Sequence, residues 1–301
     1  MPQTFYNNTG RATNPSTINT STLKGKTAVI TGACSGLGYC YSKAFIAAGC
    51  FVVLADLKPP PEDLDESQAL FVQCNVTVWE EQLAVFEAAT ARSPTHKIDI
   101  VIANAGIAGP DVLAGLNDEI PQPPQTTMID VNVTGVLYTT KLAGWYFTRH
   151  HRDPLHGCLI LISSIMGYID TQSSAIYGAS KFAVRGMMCC IRRKGILRVN
   201  CIAPWLIPTP IMNKDFLDNV RAQFQDMGLD LTSTQDAVTA VLRIASDYTL
   251  NGHTFAIVPR ELAASGYMDL GLDDLKPESP AGKLQAAASS IYYSKFGHAL
   301  S

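Results

Sequence analysis

The stretch KTAVITGACSGLG, residues 26–38, decides how the chain folds. A short apolar run, residues 26–31, leads directly into Gly32, Gly36 and Gly38, and a helix-like pattern follows. Glycine tolerates the positive φ angles of a tight turn, and its missing side chain lets a pyrophosphate approach the backbone. The free N–H groups at the start of the next helix attract the anion. Glycine-rich loops also serve as plain turns, so a phosphate-binding turn needs support from other residues.

The same alternation of strand and helix continues along the chain. Most candidate strands are continuous apolar runs, which is typical of strands buried on both faces of a parallel sheet. The alternation predicts an α/β fold, a single doubly wound domain with a mainly parallel sheet of about seven strands and helices on both faces. The candidate strands are residues 26–31, 51–56, 70–75, 98–104, 158–163, 198–203 and 254–258, and the candidate helices are residues 37–48, 79–91, 126–150, 177–193 and 234–248.

Composition divides the chain into three regions. Residues 1–22 are polar and rich in Asn, Thr and Ser, which predicts a flexible N-terminal arm. Residues 23–259 carry the alternating pattern and form the single domain. Residues 260–301 have no clear period, so this C-terminal extension is either a cap over a pocket or a mobile tail.

Charge and hydropathy exclude several classes of partner. Lys and Arg number 23 and Asp and Glu 26, a net charge of −3, so the chain lacks the basic excess that nucleic acids require. Charged residues make up 16% of the chain, against about 25% in an average soluble domain. We therefore expect part of the surface to be covered by another subunit or by an apolar ligand. No apolar run reaches the roughly 18 residues of a membrane span, and the N-terminus lacks the apolar core of a secretory signal.

The eight cysteines form no C-x-x-C pair, and most of them lie inside apolar runs. This pattern predicts reduced, buried thiols in a cytoplasmic protein. Cys and His residues at zinc-binding spacing are missing, so no metal is expected.

Two further features lie at the ends of predicted strands, where open α/β sheets bind their ligands. Asp56 ends the second strand, where a carboxylate can accept hydrogen bonds from adenosine ribose hydroxyls and repel a 2′-phosphate. This favours NAD over NADP, although a solvated residue at a strand end would fit the same pattern. The small residues Asn104, Ala105 and Gly106 close the fourth strand and permit a close approach of the cofactor.

Tyr177 and Lys181 are four residues apart, so a helix places them on one face. A phenol has a pKa of about 10, and a nearby ammonium favours the phenolate, so the pair can act as a general acid and base. The spacing alone is common on solvated helix faces. Its position gives it weight, because Ser164 ends the preceding apolar strand at the same edge of the sheet as the glycine turn.

Together these motifs resemble those of the short-chain dehydrogenase/reductase family, across residues 23–259. The resemblance implies a Rossmann-type catalytic domain that interconverts a secondary alcohol and a ketone with a nicotinamide cofactor, as a homodimer or homotetramer. Segments around Lys181 and Pro204 are similar to a fungal subgroup related to NAD-dependent 15-hydroxyprostaglandin dehydrogenase and 5′-hydroxyaverantin dehydrogenase, which implies a bulky apolar substrate from secondary metabolism. The matching motifs are Thr31-Gly32-x-x-x-Gly36-x-Gly38, Asn104-Ala105-Gly106, Asn132, Ser163-Ser164, Tyr177-x-x-x-Lys181 and Pro204, in the family's order.

The resemblance assigns a role to each of four residues. Tyr177 would transfer the proton, Lys181 would lower the pKa of Tyr177 and bind the nicotinamide ribose, and Ser164 would hold the substrate oxygen. Asn132 would anchor a water that links Lys181 to solvent. NAD is the expected cofactor and NADP the less favoured one. The implied cofactor contacts are Gly32, Ser35, Gly36, Leu37, Gly38, Asp56, Asn75, Val76, Asn104, Ala105, Gly106, Tyr177, Lys181, Pro204, Ile207 and Thr209.

The sequence departs from the family pattern at three places. Asn75 and Val76 stand where an Asp usually contacts adenine, and Trp205 follows Pro204 where glycine is usual. The connection around residues 191–196 is a few residues shorter than in the family. This shortening either alters the contact between subunits or reflects a missing piece of sequence.

Three variable segments, residues 107–124, 166–175 and 205–231, are expected to line the substrate pocket. Their apolar and aromatic side chains would suit a bulky hydrophobic substrate, or would merely pack a lid. Two other functions stay open on this fold: a cofactor-binding scaffold, and a non-redox enzyme such as a cyclase or isomerase. The expected wall residues are Ile107, Leu113, Met166, Tyr168, Trp205, Met212, Phe216 and Phe224.

Overall fold

The computed structural model describes residues 6, 10–15, 17–62, 64–172, 174–209 and 214–296. The strands among them are β1 (Thr27–Thr31), β2 (Phe51–Asp56), β3 (Ala69–Gln73), β4 (Ile100–Ala103), β5 (Cys158–Ile162), β6 (Arg198–Pro204), β7 (Thr254–Ile257) and β8 (Tyr267–Asp269). They form one sheet in the order β3-β2-β1-β4-β5-β6-β7-β8. The strands β1 to β7 pair in parallel, and β8 pairs antiparallel with β7. The predicted doubly wound α/β fold is confirmed.

Helices cover both faces of the sheet. They are α1 (Gly36–Ala47), α2 (Trp79–Arg92), α3 (Thr127–Ile129), α4 (Val136–His150), α5 (Ala175–Ile191), α6 (Lys214–Asp226), α7 (Thr234–Ser246) and α8 (Pro280–Phe296). A π-helical turn (Asp130–Gly135) joins α3 to α4, and short 3₁₀ turns are formed by Ser21–Leu23, Pro154–His156 and Ile165–Gly167. Among the described residues, no helix has both the length and the apolarity needed to cross a membrane.

The central strands are apolar along their whole length because helices cover both of their faces. On one face, Ile30 and Leu54 belong to a cluster with Phe45 of α1 and Val241 of α7. On the other face, side chains of α2, α4 and α5 pack against the alternate residues of the same strands, including Val29. The two layers hold the carboxyl ends of the parallel strands together at one edge of the sheet.

Four local features differ from the predicted elements: α6 and α8 are helices where none is predicted, and β8 and a π turn are the other two. β8 is an additional strand of three residues, within the region predicted to be an aperiodic extension. Its pairing with β7 attaches the chain beyond residue 259 to the edge of the sheet. The helix predicted over residues 126–150 contains the π turn, which changes the helical register where Asn132 lies.

The described residues near the N-terminus are attached to the folded body. Arg192, which is fully buried, donates a hydrogen bond to the Tyr6 hydroxyl at 2.8 Å, and its guanidinium lies 4.1 Å from the centre of that ring. Arg243 donates to the carbonyl oxygen of Thr13 at 2.6 Å. These contacts hold the described part of the predicted flexible arm, residues 1–22, against the domain. Arg192 lies within the connection predicted to be shortened, residues 191–196.

Candidate active site

A cavity of about 590 Å³ opens at the carboxyl ends of the parallel strands. It lies where the strand order reverses, since β2 and β3 extend to one side of β1 and β4 to β8 extend to the other. Open α/β sheets bind ligands at such a point because the neighbouring loops leave the sheet in opposite directions. The loops after β1, β2, β4, β5 and β6 all contribute lining residues.

The turn after β1 presents bare backbone to this cavity. Its φ angles are positive at Gly32, 61°, and at Gly36, 51°. A Cβ on Gly32 would lie 2.8 Å from the Cα of Ala105, so the neighbouring loop occupies that space. A Cβ on Gly38 would collide with the carbonyl oxygen of Gly32. Gly38 therefore allows α1 to begin directly against the turn.

Asn104 fastens the loop after β4 to the glycine turn. Its side-chain Nδ2 donates to the carbonyl oxygens of Thr31 and Gly32, each at 3.0 Å. The Thr31 hydroxyl accepts hydrogen bonds from the backbone N–H groups of Asn104 and Ala105, each at 3.1 Å. The sequence indicated only that Asn104 is small and near the cofactor. The structure adds that its amide holds two loops of the cavity together.

Asp56 lies at the end of the cavity beyond the glycine turn. One carboxylate oxygen accepts from the N–H of Cys34 at 2.9 Å, and the other accepts from the N–H of Leu57 at 2.7 Å. These bonds fix the orientation of the carboxylate at the end of β2. Among the described residues that line the cavity, Asp56 is the only acidic one and Lys181 the only basic one.

The residues of the cavity fit a nicotinamide dinucleotide. The bare backbone at the start of α1 is suited to a pyrophosphate, because it offers N–H groups and the positive end of the helix. The Asp56 carboxylate is suited to a ribose diol. Asn75 and Val76 line the same end of the cavity, where an adenine would need an apolar contact and a hydrogen-bonding partner.

Ser164 begins the 3₁₀ turn Ile165–Gly167 directly after β5. Its backbone is extended, and its Oγ accepts from the N–H of Met166 at 3.2 Å, which caps the turn. The same hydroxyl donates to the carbonyl oxygen of Pro204 at 3.4 Å. Ser164 is buried but lines the cavity, so its hydroxyl is held in place while it faces the site.

Tyr177 and Lys181 lie on one face of α5, as their spacing predicts. The Nζ of Lys181 lies 5.5 Å from the centre of the Tyr177 ring. Burial raises the pKa of Tyr177, while the neighbouring Ser164 hydroxyl acts in the opposite direction. Burial also lowers the pKa of Lys181 to about 8. Perturbed groups that meet in one cavity are typical of proton-transfer sites.

Asn132 lies in the π turn and contacts two neighbouring elements. Its Oδ1 accepts from the N–H of Ile107 at 2.8 Å, and its Nδ2 donates to the Ile107 carbonyl oxygen at 2.9 Å and to the Ser180 hydroxyl at 3.1 Å. The side chain therefore joins the loop after β4 to α5, one residue before Lys181. That Asn132 anchors a water beside Lys181 stays a prediction.

The cavity brings together most of the predicted site residues. Gly38 and Asn132 do not line it, because Gly38 packs under the glycine turn and Asn132 is buried behind the wall. The predicted residues on the wall are Gly32, Ser35, Gly36, Leu37, Asp56, Asn75, Val76, Asn104, Ala105, Gly106, Ser164, Tyr177, Lys181, Pro204, Ile207 and Thr209. Ala108, Ser174 and Leu206 also line the cavity, within the segments predicted to do so. Residues that the sequence did not indicate include Leu57, Cys74, Val131, Ile162 and Ile165, most of them next to a motif residue.

An aromatic pair borders the cavity near the end of β6. The ring of Trp205 stacks on Phe224 of α6, with ring centres 5.8 Å apart and an interplanar angle of 6°. Trp205 lines the cavity together with Ile107 and Met166, as predicted. Trp205 therefore connects α6 to the wall of the site, whereas Phe224, also predicted to line the pocket, does not line the cavity.

Other predicted wall residues lie elsewhere. Tyr168 does not line the cavity, and its hydroxyl lies 2.6 Å from the Oγ1 of Thr254 on β7. Leu113 is 62% exposed. Met212 and the side chain of Phe216 lie outside the described residues.

Comparison with known proteins identifies the family. A family profile described as short chain dehydrogenase matches residues 26–220. The chain belongs to the short chain dehydrogenase family. The resemblance carried by the sequence motifs is confirmed, and the chain is an oxidoreductase by family.

Two fungal relatives match this short chain dehydrogenase over most of its length. The 5′-hydroxyaverantin dehydrogenase of Dothistroma septosporum is 36% identical, over 79% of this chain and 85% of the relative. The NADP-dependent dehydrogenase M3 of a Phoma species is 32% identical, over 87% of this chain and 83% of the relative. Because the second name specifies NADP, the relatives leave the choice between NAD and NADP open.

A solved structure shares the fold. The aldohexose dehydrogenase of Thermoplasma acidophilum superposes with a TM-score of 0.68 at 23% identity, over 79% of this chain and 94% of the other. At that identity the likeness supports the architecture of the short chain dehydrogenase and not its substrate.

Proposed function

We propose that this short chain dehydrogenase oxidises a secondary alcohol on a bulky apolar molecule to the ketone, with NAD as the hydride acceptor. The observation that carries the proposal is the convergence of three groups in one largely apolar cavity: the phenol of Tyr177, the hydroxyl of Ser164 and the ammonium of Lys181. Two separate stretches of the chain supply them, the end of β5 and the helix α5.

The geometry supports a simple division of labour. The substrate hydroxyl would bind between Ser164, which holds its oxygen, and Tyr177, which as the phenolate accepts its proton while the carbinol carbon loses a hydride. NAD supplies the hydride acceptor at nicotinamide C4, so the products are a ketone, the reduced cofactor and one proton. The pKa of Lys181 is about 8, so its side chain is charged at pH 7. The positive charge would stabilise the negative charge on the Tyr177 phenolate.

Asp56 is the reason to propose NAD. A 2′-phosphate would bring further negative charge to the end of the cavity that Asp56 occupies. No basic side chain among the described lining residues lies at that end to compensate it. The Phoma relative is named for NADP, but the carboxylate favours NAD in this chain.

The wall of the cavity supports a bulky apolar substrate. Ile107, Met166 and Trp205 line it, and such surfaces bind hydrocarbon or aromatic groups. The Dothistroma relative is named as the dehydrogenase of a hydroxylated compound. We therefore propose an alcohol of secondary metabolism as the substrate.

We also propose that the enzyme is a cytoplasmic homodimer or homotetramer. Helices α4 and α5 expose apolar side chains at Leu137, 48%, Trp145, 44%, and Phe182, 46%, which another subunit could cover. The eight cysteines are all free, as expected in a reducing compartment.

Turnover of a panel of secondary alcohols tests the proposed function. The protein is given NAD or NADP, and cofactor reduction is followed by absorbance at steady state. We expect bulky apolar alcohols to be oxidised with a higher kcat/KM than small polar ones, and with NAD in preference to NADP. Binding of NADH without oxidation of any alcohol, or reduction of any ketone, would favour a scaffold. Conversion of substrate with no change in the cofactor would favour a non-redox enzyme.

A further inference from the structure

A polar cluster extends along α5 from the site towards the edge of the sheet. Tyr177, Lys181, Arg185 and Cys189 are four residues apart in succession, so they share one face of the helix. Tyr177 and Lys181 line the cavity, but Arg185 does not. The cluster around Arg185 therefore lies outside the proposed proton-transfer machinery.

Asp273, in the chain after β8, is the acceptor at the centre of this cluster. Its Oδ1 accepts from the Nε of Arg185 at 2.7 Å and from the Sγ of Cys189 at 3.4 Å. Its Oδ2 accepts from the hydroxyl of Tyr168 at 3.1 Å and from the hydroxyl of Thr254 at 2.9 Å. The Asp273 side chain is only 5% exposed, so these four donors replace water around its charge.

Arg185 makes a second set of contacts, with the turn that follows Ser164. Its Nη1 donates to the carbonyl oxygen of Gly167 at 3.2 Å, and its guanidinium lies 4.1 Å from the centre of the Tyr168 ring. Gly167 itself has no room for a side chain, since a Cβ there would lie 2.8 Å from the carbonyl oxygen of Lys181. The turn that carries Ser164 is thus held against α5 from both sides of Gly167.

We propose that Asp273 is a positioning residue for the reaction. Its carboxylate binds Arg185 of α5 and Tyr168 of the turn after Ser164, and thereby fixes the distance between Ser164 and Tyr177. Asp273 touches neither group directly and acts through these two neighbours. The inference rests on the proposed function and adds to it a role for the chain beyond residue 259.

The physical reason is the cost of leaving buried polar groups without partners. Without the carboxylate, the Arg185 guanidinium loses its counter-charge and the Tyr168 hydroxyl loses an acceptor. The turn after Ser164 can relieve this cost by shifting towards solvent. A shift of about 1 Å between groups that act on one substrate oxygen can reduce a rate roughly 100-fold.

Two neighbouring variants separate positioning from stability. Asp273→Asn keeps the shape of the side chain and removes its charge. Asp274→Asn is the matched control, because the Asp274 carboxylate also pairs with an arginine, Arg192 at 3.1 Å, and with the Tyr6 hydroxyl at 3.0 Å, but neither partner touches the turn after Ser164. For Asp273→Asn we expect kcat to fall at least about tenfold while the Kd for NADH changes less than about twofold. For Asp274→Asn we expect kcat within about twofold of the unaltered protein, because neither partner of its carboxylate contacts the turn after Ser164.

Backbone amide hydrogen exchange provides a readout that needs no substrate. Peptides covering residues 163–170 should exchange faster in Asp273→Asn and at the unaltered rate in Asp274→Asn. Equal kcat values for the two variants, or equal exchange of these peptides, would overturn the proposal. Should Asp273→Asn fail to fold, Tyr168→Phe removes one of the donors to Asp273. It should lower kcat and speed the exchange of these peptides, both by less than Asp273→Asn. Unaltered kcat and exchange in Tyr168→Phe would likewise refute the role. If the unaltered protein oxidises no alcohol, the proposed function fails, and the exchange measurement alone still decides whether Asp273 positions the turn.

Discussion

Lys181 carries a positive charge in a buried position. Its burial lowers the free energy of unfolding by an amount that can be measured. Burial lowers the pKa of Lys181 to about 8, from an ordinary value of 10.5. Below pH 8 the folded protein therefore holds a buried charge that the unfolded chain would solvate. Between pH 8 and 10.5 the folded state releases this proton first, so the penalty disappears as the pH rises.

Lys181→Met should raise the free energy of unfolding at pH 7 by about 2 kcal/mol, because it removes the buried charge. The gain should fall to about a quarter of that size by pH 10, and turnover should be lost at every pH. Urea unfolding at pH 7 and pH 10 measures the change in the free energy of unfolding. Lys97→Met, at an exposed lysine, is the control. A variant that is less stable than the parent at pH 7 and equally so at pH 10 would contradict the desolvation argument.

The second prediction at the scale of the residue concerns Asp56. In Asp56→Ala, the ratio of kcat/KM for NAD to that for NADP should fall roughly tenfold or more, because a repulsive charge is removed from the ribose end of the cavity. Asp65→Ala, in the loop between β2 and β3, should leave the ratio unchanged. Equal affinities of the unaltered protein for NAD and NADP would refute the assignment of Asp56.

At the scale of the element, two glycines that both lie in helices differ in the space available for a side chain. Gly38 in α1 packs against the Gly32 carbonyl, whereas a Cβ on Gly186 in α5 would meet nothing within 4 Å. Gly38→Ala should cost at least about 2 kcal/mol of unfolding free energy and weaken NADH binding, because the glycine turn must move. Gly186→Ala should stabilise the protein by about 0.5–1 kcal/mol. Thermal or urea unfolding of the two variants measures whether Gly38→Ala lowers and Gly186→Ala raises the free energy of unfolding. Equal changes in the two variants would contradict the packing described for the turn.

Elements were predictable where burial leaves a mark on the sequence. The strands β1 to β7 are continuous apolar runs because both of their faces are covered, so each was predicted within a few residues. β8 was missed, because three residues at the antiparallel edge are too short to show a pattern. The π turn around Asn132 was not predicted, because no pattern of residue types in the sequence distinguishes a π turn from an α-helix.

At the scale of the whole molecule, the sequence did not predict contacts between residues that lie far apart along the chain. The motifs predicted the cavity because topology alone brings the carboxyl ends of parallel strands together. They could not predict that Asp273 bonds Arg185, 88 residues away, since nothing in either local sequence specifies the partner. The packing of Tyr6 on Arg192 spans 186 residues and was missed for the same reason.

The central claim is that distant stretches of the chain meet to place one proton-transferring phenol beside a serine and a lysine. Tyr177→Phe tests it most directly, because the ring is kept and only the hydroxyl is lost. Steady-state oxidation of the best alcohol and NADH binding by fluorescence are measured together, with Tyr248→Phe, an exposed tyrosine outside the cavity, as the control. The account predicts that kcat falls about 10³-fold while the Kd for NADH stays within about twofold. Turnover by Tyr177→Phe at a rate close to that of the control would contradict it.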